Sequence, residues 1–138
     1  MPTLKIHRSA GPDFQGLYED DPKAAKLVAE FIEQAKETPE LLDTFTDHGY
    51  GKERSATYHV SKWLDQWHKG RNLWRVKIWH LENQGKFYRI VYAFDPPDAY
   101  YILGITTHDQ NDPKDFYDDE SHAFTKRVVD VYDALFGQ

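Results

Sequence analysis

The segment from Leu73 to Thr106 constrains the fold more than any other part of the chain. It contains three strand-like runs, at 73–80, 86–94 and 99–106, separated by the turn-forming sequences ENQG and DPPD. Runs of this length, bounded by Gly, Pro, Asn and Asp, are typical of β-strands joined by short hairpins. The segment therefore predicts three consecutive antiparallel strands.

Side chains alternate between the two faces of a strand, so the pattern also predicts which of them lie together. In the first two runs one face carries Trp74, Val76, Ile78, His80, Tyr88, Ile90, Tyr92 and Phe94. The opposite face carries Arg75, Lys77, Trp79, Phe87, Arg89, Val91 and Ala93. The third run is almost continuously apolar, which favours a position inside the sheet.

The remaining segments are predicted to be mostly helical. Residues 21–37 show an apolar stripe at helical spacing, with Asp21 placed to cap the helix and Pro22 at its first position. Further helices are predicted from Thr38-Pro39 onward, at 55–68 and at 122–136, and a short first strand is predicted at 3–9. Residues 11–22 are predicted to be a turn-rich connection.

Helices that are segregated from an antiparallel meander indicate the α+β class. No internal repeat or linker divides the 138 residues. The prediction is a single domain over 1–138, with an antiparallel sheet, N-terminal helices and a C-terminal helix.

Charge is distributed unevenly along the chain, whose formal net charge is −6. Between Lys69 and Tyr92 six basic residues stand against one acid, whereas between Asp95 and Glu120 eight acids stand against one lysine. The net charge argues against nucleic-acid binding by the whole surface. A local basic β-ribbon followed by an acidic block nevertheless favours a specific charged site.

Several function classes are disfavoured by what the sequence lacks. It contains no cysteine, which fits a reducing compartment, and no Gly-rich nucleotide loop or HExxH motif. The spacing of the histidines is not that of metal ligands, so we expect neither a metal nor another cofactor. The apolar runs are about six residues long, far short of the roughly 20 needed to cross a membrane. With no N-terminal secretory pattern, a soluble cytoplasmic protein without membrane contact is expected.

Motifs within the predicted sheet resemble those of the RelE/ParE superfamily of toxins from toxin–antitoxin pairs. The similarity rests on Leu73-Trp74-Arg75, on Tyr88-Arg89-Ile90-Val91-Tyr92 and on the apolar run that ends at His108. It is strongest over residues 55–110 and extends to the order of elements in the whole chain.

The resemblance implies a choice between two activities. RelE-like members are ribosome-dependent endoribonucleases that cut mRNA, whereas ParE-like members inhibit DNA gyrase and have no nuclease activity. In both groups a small cognate antitoxin neutralises the toxin. A toxin that cleaves mRNA on the ribosome without a metal is the leading hypothesis, and a noncatalytic gyrase inhibitor or regulatory partner of the same fold is the alternative.

Metal-free RNA cleavage requires cations at the phosphate and groups that transfer protons. Arg75 and Lys77 share one strand face, and Arg89 on the neighbouring strand is expected to join them in a phosphate clamp. The alternative is that these side chains only cover a solvated sheet face. Together with Lys77, the residues Lys69, Arg71 and Lys86 are predicted to hold the RNA backbone.

His108 and Tyr117 are the candidates for proton transfer. His108 ends the third predicted strand, where the resemblance implies a basic or His-containing turn. Tyr117 is a candidate for stacking on a base or assisting proton transfer. The alternatives are a surface histidine and a tyrosine that packs at the start of the last helix.

The block of acids from Asp109 to Glu120 departs from the pattern of the ribonuclease members, which place Arg, Lys and Tyr there. Two explanations remain open from the sequence. The acids either neutralise the basic ribbon within the chain or contact something other than RNA. The position of the block relative to the basic face discriminates between these explanations.

Overall fold

The computed structural model describes residues 2–107 and 122–137. Within these residues the strands are β1 (Thr3–Ile6), β2 (Tyr58–Lys62), β3 (Leu73–Ile78), β4 (Tyr88–Asp95) and β5 (Ala99–Thr107). The α-helices are α1 (Gly11–Asp20), α2 (Pro22–Glu37), α3 (Pro39–Asp43), α4 (Leu64–Trp67), α5 (Trp79–Glu82) and α6 (Ala123–Phe136), with 3-10 turns at Arg8–Ala10 and Thr44–Thr46. The α+β class and a single small domain are confirmed.

The five strands of the described chain form one sheet in the order β1-β5-β4-β3-β2. The predicted antiparallel meander is confirmed for β3, β4 and β5, and β2 extends it on one side. The prediction of a purely antiparallel sheet is wrong, because β1 pairs with β5 in parallel. This pairing also makes β5 an interior strand, as its apolar sequence indicated.

One face of the sheet is covered by α1, α2 and α3. The strands contribute Leu4, Tyr58, Val60, Trp74, Val76, Ile78, Ile90, Tyr92, Tyr100, Ile102 and Ile105 to this core. The helices add Leu17, Ala24, Val28, Phe31, Ile32 and Leu42, and Phe45 follows from the 3-10 turn. The helix predicted at 21–37 is confirmed, and the Asp21 carboxylate caps it by accepting from the backbone N–H of Ala24 at 3.2 Å.

The other face of the sheet is covered at one end by α6. Phe124, Val128 and Tyr132 of this helix pack on Trp63, Leu73, Val91, Ala93 and Leu103. Polar contacts fix the helix to the segment before β3, because the Asp133 carboxylate accepts from Arg71 Nε at 2.9 Å and the Tyr132 hydroxyl accepts from the Asn72 N–H at 2.9 Å. Farther along β3 and β4 the same face carries Arg75, Lys77 and Arg89.

The helix predicted at 55–68 is wrong over most of its length. Residues Tyr58–Lys62 form β2, and only Leu64–Trp67 are helical. Tyr58 and Val60 are buried on the helix-covered face, whereas His59 between them is half-buried on the opposite face. Cross-strand packing of these residues on β3 outweighs the helical spacing of Trp63, Leu64 and Trp67.

The turn predicted at 11–22 is replaced by α1. Pro12 stands in the first turn of this helix, and Leu17 is buried against the first core. The glycines at 11 and 16 gave the segment the composition of a loop, but packing against α2 stabilises a helix there.

The first predicted strand of the hairpin is two residues too long. The chain leaves the sheet after Ile78 and forms α5, so His80 is exposed and not in the core. The Trp79 indole N–H donates to the carbonyl of Gly51 at 2.7 Å, which holds the chain at this corner. None of the helices in the described part of the chain is both long and apolar enough to cross a bilayer.

Candidate functional site: a cationic cavity on the sheet

A cavity of about 220 Å³ opens on the sheet face that also carries α6. Among the described residues, its lining consists of five side chains from three adjacent strands: His59, Ser61, Arg75, Lys77 and Arg89. All five can donate a hydrogen bond, and three of them are cations. We call this group the cationic cavity.

Strand register explains why these side chains meet. His59 lies opposite Lys77, and Ser61 lies opposite Arg75, in the antiparallel pair of β2 and β3. Arg89 lies two residues before Val91, which is paired with Arg75 across β3 and β4. Because side chains alternate along each strand, all five point to the same face.

Arg75 is oriented by its neighbour across the strand pair. Its Nε donates to the Ser61 hydroxyl at 3.1 Å. The hydrogen bond at Nε fixes the plane of the guanidinium, a group whose geometry suits phosphate oxygens. Ser61 therefore acts as a positioning residue for Arg75.

Arg89 is paired with a buried carboxylate beneath the cavity. Its guanidinium forms an ion pair with Glu82 of α5, and the two side chains are 11% and 5% exposed. It also donates to the carbonyl of Tyr88 at 3.1 Å. The pair compensates one positive charge and fixes the guanidinium at the cavity wall.

Lys77 lies in the centre of this cationic group. Burial is the main cause that lowers the pKa of its ammonium group, and the charge of Arg89 lowers it further. The ammonium nitrogen also stands 4.6 Å from the centre of the Trp79 ring. An anion in the cavity would therefore relieve unfavourable charge at Lys77.

His59 faces the same cations. Burial lowers the pKa of its imidazole, and Lys77, His48, Arg75 and Arg89 lower it further through their charge. Its ring is nearly parallel to that of Trp79, with an interplanar angle of 8° and 5.8 Å between ring centres. These effects favour the neutral imidazole, which can accept a proton.

Trp79 forms a fixed wall beside the cavity. Arg54 stands over its ring at 5.1 Å and donates from Nη1 to the Asn83 side chain at 3.1 Å. With the indole N–H bound to Gly51, the ring holds the loop before β2 against the corner after β3. This arrangement keeps His59 and Lys77 in place without contacting a ligand.

The structure brings together three of the basic residues singled out in the sequence, Arg75, Lys77 and Arg89. It does not bring Lys69, Arg71 or Lys86 to the cationic cavity. Lys69 pairs with Asp65 at 3.1 Å and Lys86 pairs with Asp21 at 2.8 Å. Arg71 lies among the contacts that fix α6, where it pairs with Asp133.

His108 and Tyr117, the two predicted proton-transfer residues, lie outside the described residues, as does the acidic block from Asp109 to Glu120. Their roles stay predictions. His59 and Ser61 were missed from the sequence, because their segment was predicted to be helical. The alternation of Tyr58 and Val60 with His59 and Ser61 was the signal that could have placed both in a strand.

A second cavity, of about 510 Å³, lies between α1, α6 and the ends of β4 and β5. Arg127 of α6 contributes the positive charge here, and it is paired with Asp13 of α1. Asp13 also accepts from the backbone N–H of Ile105 at 2.9 Å, so the pair joins two helices to the edge of β5. With Asp20 also in the lining, this cavity does not have the cationic character of the first.

Comparison with family models, curated proteins and solved structures finds no match to this chain. Its function is therefore inferred from the geometry and charge of the cationic cavity.

Proposed function

We propose that this protein is the toxin of a toxin–antitoxin pair and cleaves mRNA on the ribosome by a metal-independent reaction. The convergence of Arg75, Lys77 and Arg89 with His59 in one cavity carries this proposal. A phosphodiester would bind to the cations, and a proton acceptor stands beside them. A cognate antitoxin is the partner that the toxin hypothesis requires.

The proposed reaction begins at the ribose 2′-hydroxyl. A ring nitrogen of neutral His59 accepts its proton, and the 2′-oxygen attacks the adjacent phosphorus. The bond to the 5′-oxygen breaks, which leaves a 2′,3′-cyclic phosphate and a 5′-hydroxyl. The leaving oxygen must gain a proton, and His108 stays the sequence-based candidate for this step.

Charge develops on the nonbridging oxygens in this reaction. Arg75 and Lys77 are placed to stabilise it by charge-assisted hydrogen bonds, and Arg89 adds a third donor at the wall. Because the groups are held by Ser61, Glu82 and Trp79, they need little rearrangement when the substrate binds. Preorganised donors of this kind commonly contribute about 10²- to 10³-fold each to the rate.

The order of elements also supports the toxin hypothesis. The Leu73-Trp74-Arg75 motif begins β3, the motif Tyr88 to Tyr92 begins β4, and the apolar run forms β5. Arg75 and Arg89, one from each motif, both face the cationic cavity. The motifs that carry the resemblance therefore coincide with the site.

A noncatalytic toxin-like protein of the same fold, either a gyrase inhibitor or a regulatory partner, is the second candidate. Glu82 compensates Arg89 in the cavity, and the net charge of −6 opposes binding to long polyanions. These features favour a partner that presents a single anionic group. The same cavity would then bind a carboxylate or phosphate without reaction.

Primer extension on mRNA separates the two candidates. We expect the purified protein to cut mRNA within translated codons on programmed ribosomes, with no metal added beyond the Mg²⁺ that the ribosome itself requires. Substitutions His59→Gln and Lys77→Met should each lower the rate at least about 100-fold. Lys36→Met removes an exposed cation of α2 outside the cavity and serves as the matched control with a near-normal rate.

Growth measurements provide the cellular test. Expression without an antitoxin should arrest growth, and His59→Gln should relieve the arrest while the protein stays folded. Intact mRNA together with loss of gyrase supercoiling activity would favour the noncatalytic candidate. No arrest from well-expressed wild-type protein would contradict the toxin hypothesis itself.

A further inference from the structure

We propose that the cationic cavity is a binding site for a single tetrahedral oxyanion group and that His59 takes up one proton when a dianion binds. The inference rests on the proposed function, since the scissile phosphodiester, a monoanion beside which His59 stays neutral, would occupy the same site. It goes further because it concerns a free anion and does not require that RNA be cut.

The lining supports an anion ligand by its hydrogen-bonding capacity. Arg75, Lys77 and Arg89 donate from charged groups, and Ser61 and His59 add a hydroxyl and an imidazole. Arg75 and Ser61 are already joined by a hydrogen bond at 3.1 Å, so this side of the cavity is ordered in the absence of ligand. Donors fixed in this way need little reorganisation when an anion arrives.

The size of the cavity limits what the ligand is. A volume of about 220 Å³ corresponds to roughly seven water molecules. Sites for drug-sized ligands begin at about 300 Å³. The cavity therefore fits a phosphate group with a small attachment, such as part of a ribose, but not a whole nucleotide with its base.

Proton uptake follows from what surrounds His59. Lys77 and Arg75 face it from β3, and Arg89 faces it from β4. The cations disfavour a second positive charge on the ring while the cavity is empty. A bound dianion reverses this balance and favours the imidazolium form.

Among the described residues, the other charged groups near His59 do not remove this effect. His48, in the turn before β2, adds to the positive field, and its Nδ1 accepts from the Lys62 N–H at 2.9 Å. Glu82 of α5 is paired with Arg89 and not with the imidazole. Arg54 stands on the Trp79 ring, against which His59 stacks.

Sulfate is a suitable probe because the pH dependence of its binding reports only protonation of the protein. It remains a dianion between pH 5.5 and 8, so a pH-dependent affinity must arise from the protein. We expect sulfate to bind more tightly at pH 6 than at pH 8 in isothermal titration calorimetry at constant ionic strength. The affinity should fall up to tenfold per pH unit between the pKa values of the free and the occupied site.

Histidine-selective NMR measures the same linkage at the ring. The pKa of His59 should rise when sulfate is added, whereas sulfate should leave the ring signals of exposed His80 in place. Sulfate should bind to the His59→Gln variant with an affinity independent of pH, and His80→Gln should behave as wild type. Lys77→Met should weaken sulfate binding at least tenfold and raise the pKa of His59 in the anion-free site, with Lys36→Met as the matched control.

Three results would overturn the inference. They are sulfate affinity in the wild type that does not change with pH, a pH dependence that persists in His59→Gln, and undiminished binding to Lys77→Met. The outcomes also separate this inference from the proposed function. Proton-linked sulfate binding without mRNA cleavage contradicts only the nuclease proposal, and cleavage without proton-linked binding contradicts only the inference made here.

Discussion

His59 and Glu82 both modify the net charge of the cationic cavity, and they do so in different ways. Glu82 is buried beneath Arg89 and supplies a fixed negative charge, while His59 changes its charge with pH near the cations of β3. Arg75 and Lys77 lie between them on one strand face. The affinity of the cavity for an anion therefore depends on two residues that are not themselves permanent cations.

Substitution Glu82→Gln tests the buried ion pair. Arg89 would lose the carboxylate that compensates its charge, so we expect the free energy of unfolding to fall by about 3 kcal/mol. Urea unfolding measures this as a lower midpoint with an unchanged slope. Glu33→Gln is the control, because Glu33 forms an exposed pair with Lys36 at 3.5 Å that is worth less than about 1 kcal/mol.

The same substitution should strengthen sulfate binding, since it removes a negative charge next to the cavity. A variant as stable as wild type would contradict the structural role assigned to the pair. Weaker sulfate binding, whatever the stability of the variant, would show instead that Glu82 orients Arg89 for contact with the anion.

The pH dependence of stability tests His59. Its pKa is lowered in the folded protein, chiefly by burial and then by Lys77, so the unfolded chain binds more protons. Its contribution to stability is therefore present above the ordinary histidine value of about 6.5 and is lost as the pH falls toward the folded value. Urea midpoints between pH 8 and 5.5 should fall less in His59→Gln than in wild type. Equal slopes in the two proteins, with His80→Gln as control, would contradict this assignment.

At the scale of elements, β5 contacts both α1 and α6 near its C-terminal end. Gly104 lies where these three elements meet. An ideal Cβ built there would stand 2.6 Å from Phe124 Cε2, 2.8 Å from Arg127 Nη2 and 2.9 Å from Asp13 Oδ2. The close approach of α6 to the sheet, and with it the Asp13–Arg127 pair, requires the absence of a side chain at this position.

Substitution Gly104→Ala should therefore destabilise the protein by about 1–3 kcal/mol, because the ring and the ion pair must move. Gly16→Ala is the matched control, since no heavy atom lies within 4 Å of an ideal Cβ at that helical position. The control should stabilise the protein by about 0.5–1 kcal/mol. Thermal unfolding of both variants measures the contrast, and a neutral Gly104→Ala would show that α6 has room to move.

The elements also show how far the sequence determines the fold. Alternation over 73–94 placed Arg75, Lys77 and Arg89 on one face and most of the aromatic residues on the other, because the two-residue period of a strand can be read from the local sequence. The parallel pairing of β1 with β5 joins residues about a hundred positions apart and leaves no local signal. The β2 strand was not predicted, because three apolar residues at helical spacing follow it directly. His59 was therefore not recognised as a residue of the site.

At the scale of the whole molecule, this acidic chain carries three neighbouring cations on the sheet face that also carries α6. Outside the cavity, several basic side chains of the described residues are paired with acids: Lys69 with Asp65, Arg71 with Asp133, Lys86 with Asp21 and Arg127 with Asp13. In the cavity, Arg89 is likewise paired with Glu82, and Arg75, Lys77 and Arg89 lie side by side on two neighbouring strands. Electrostatic attraction to RNA should therefore be local and short-ranged.

The salt dependence of RNA binding tests this localisation. Single-stranded RNA with 2′-O-methyl groups binds without being cut, so its affinity is measurable by fluorescence anisotropy. If Arg75, Lys77 and Arg89 make the phosphate contacts, the logarithm of the association constant should fall against the logarithm of salt concentration with a slope of about −2. Lys77→Gln should reduce the magnitude of the slope by about 0.7, and Lys36→Gln on α2 should leave it unchanged. A slope of about −5 or steeper would mean that RNA contacts basic residues well beyond the cavity. Equal slopes in wild type and Lys77→Gln would show that the cavity does not contact RNA.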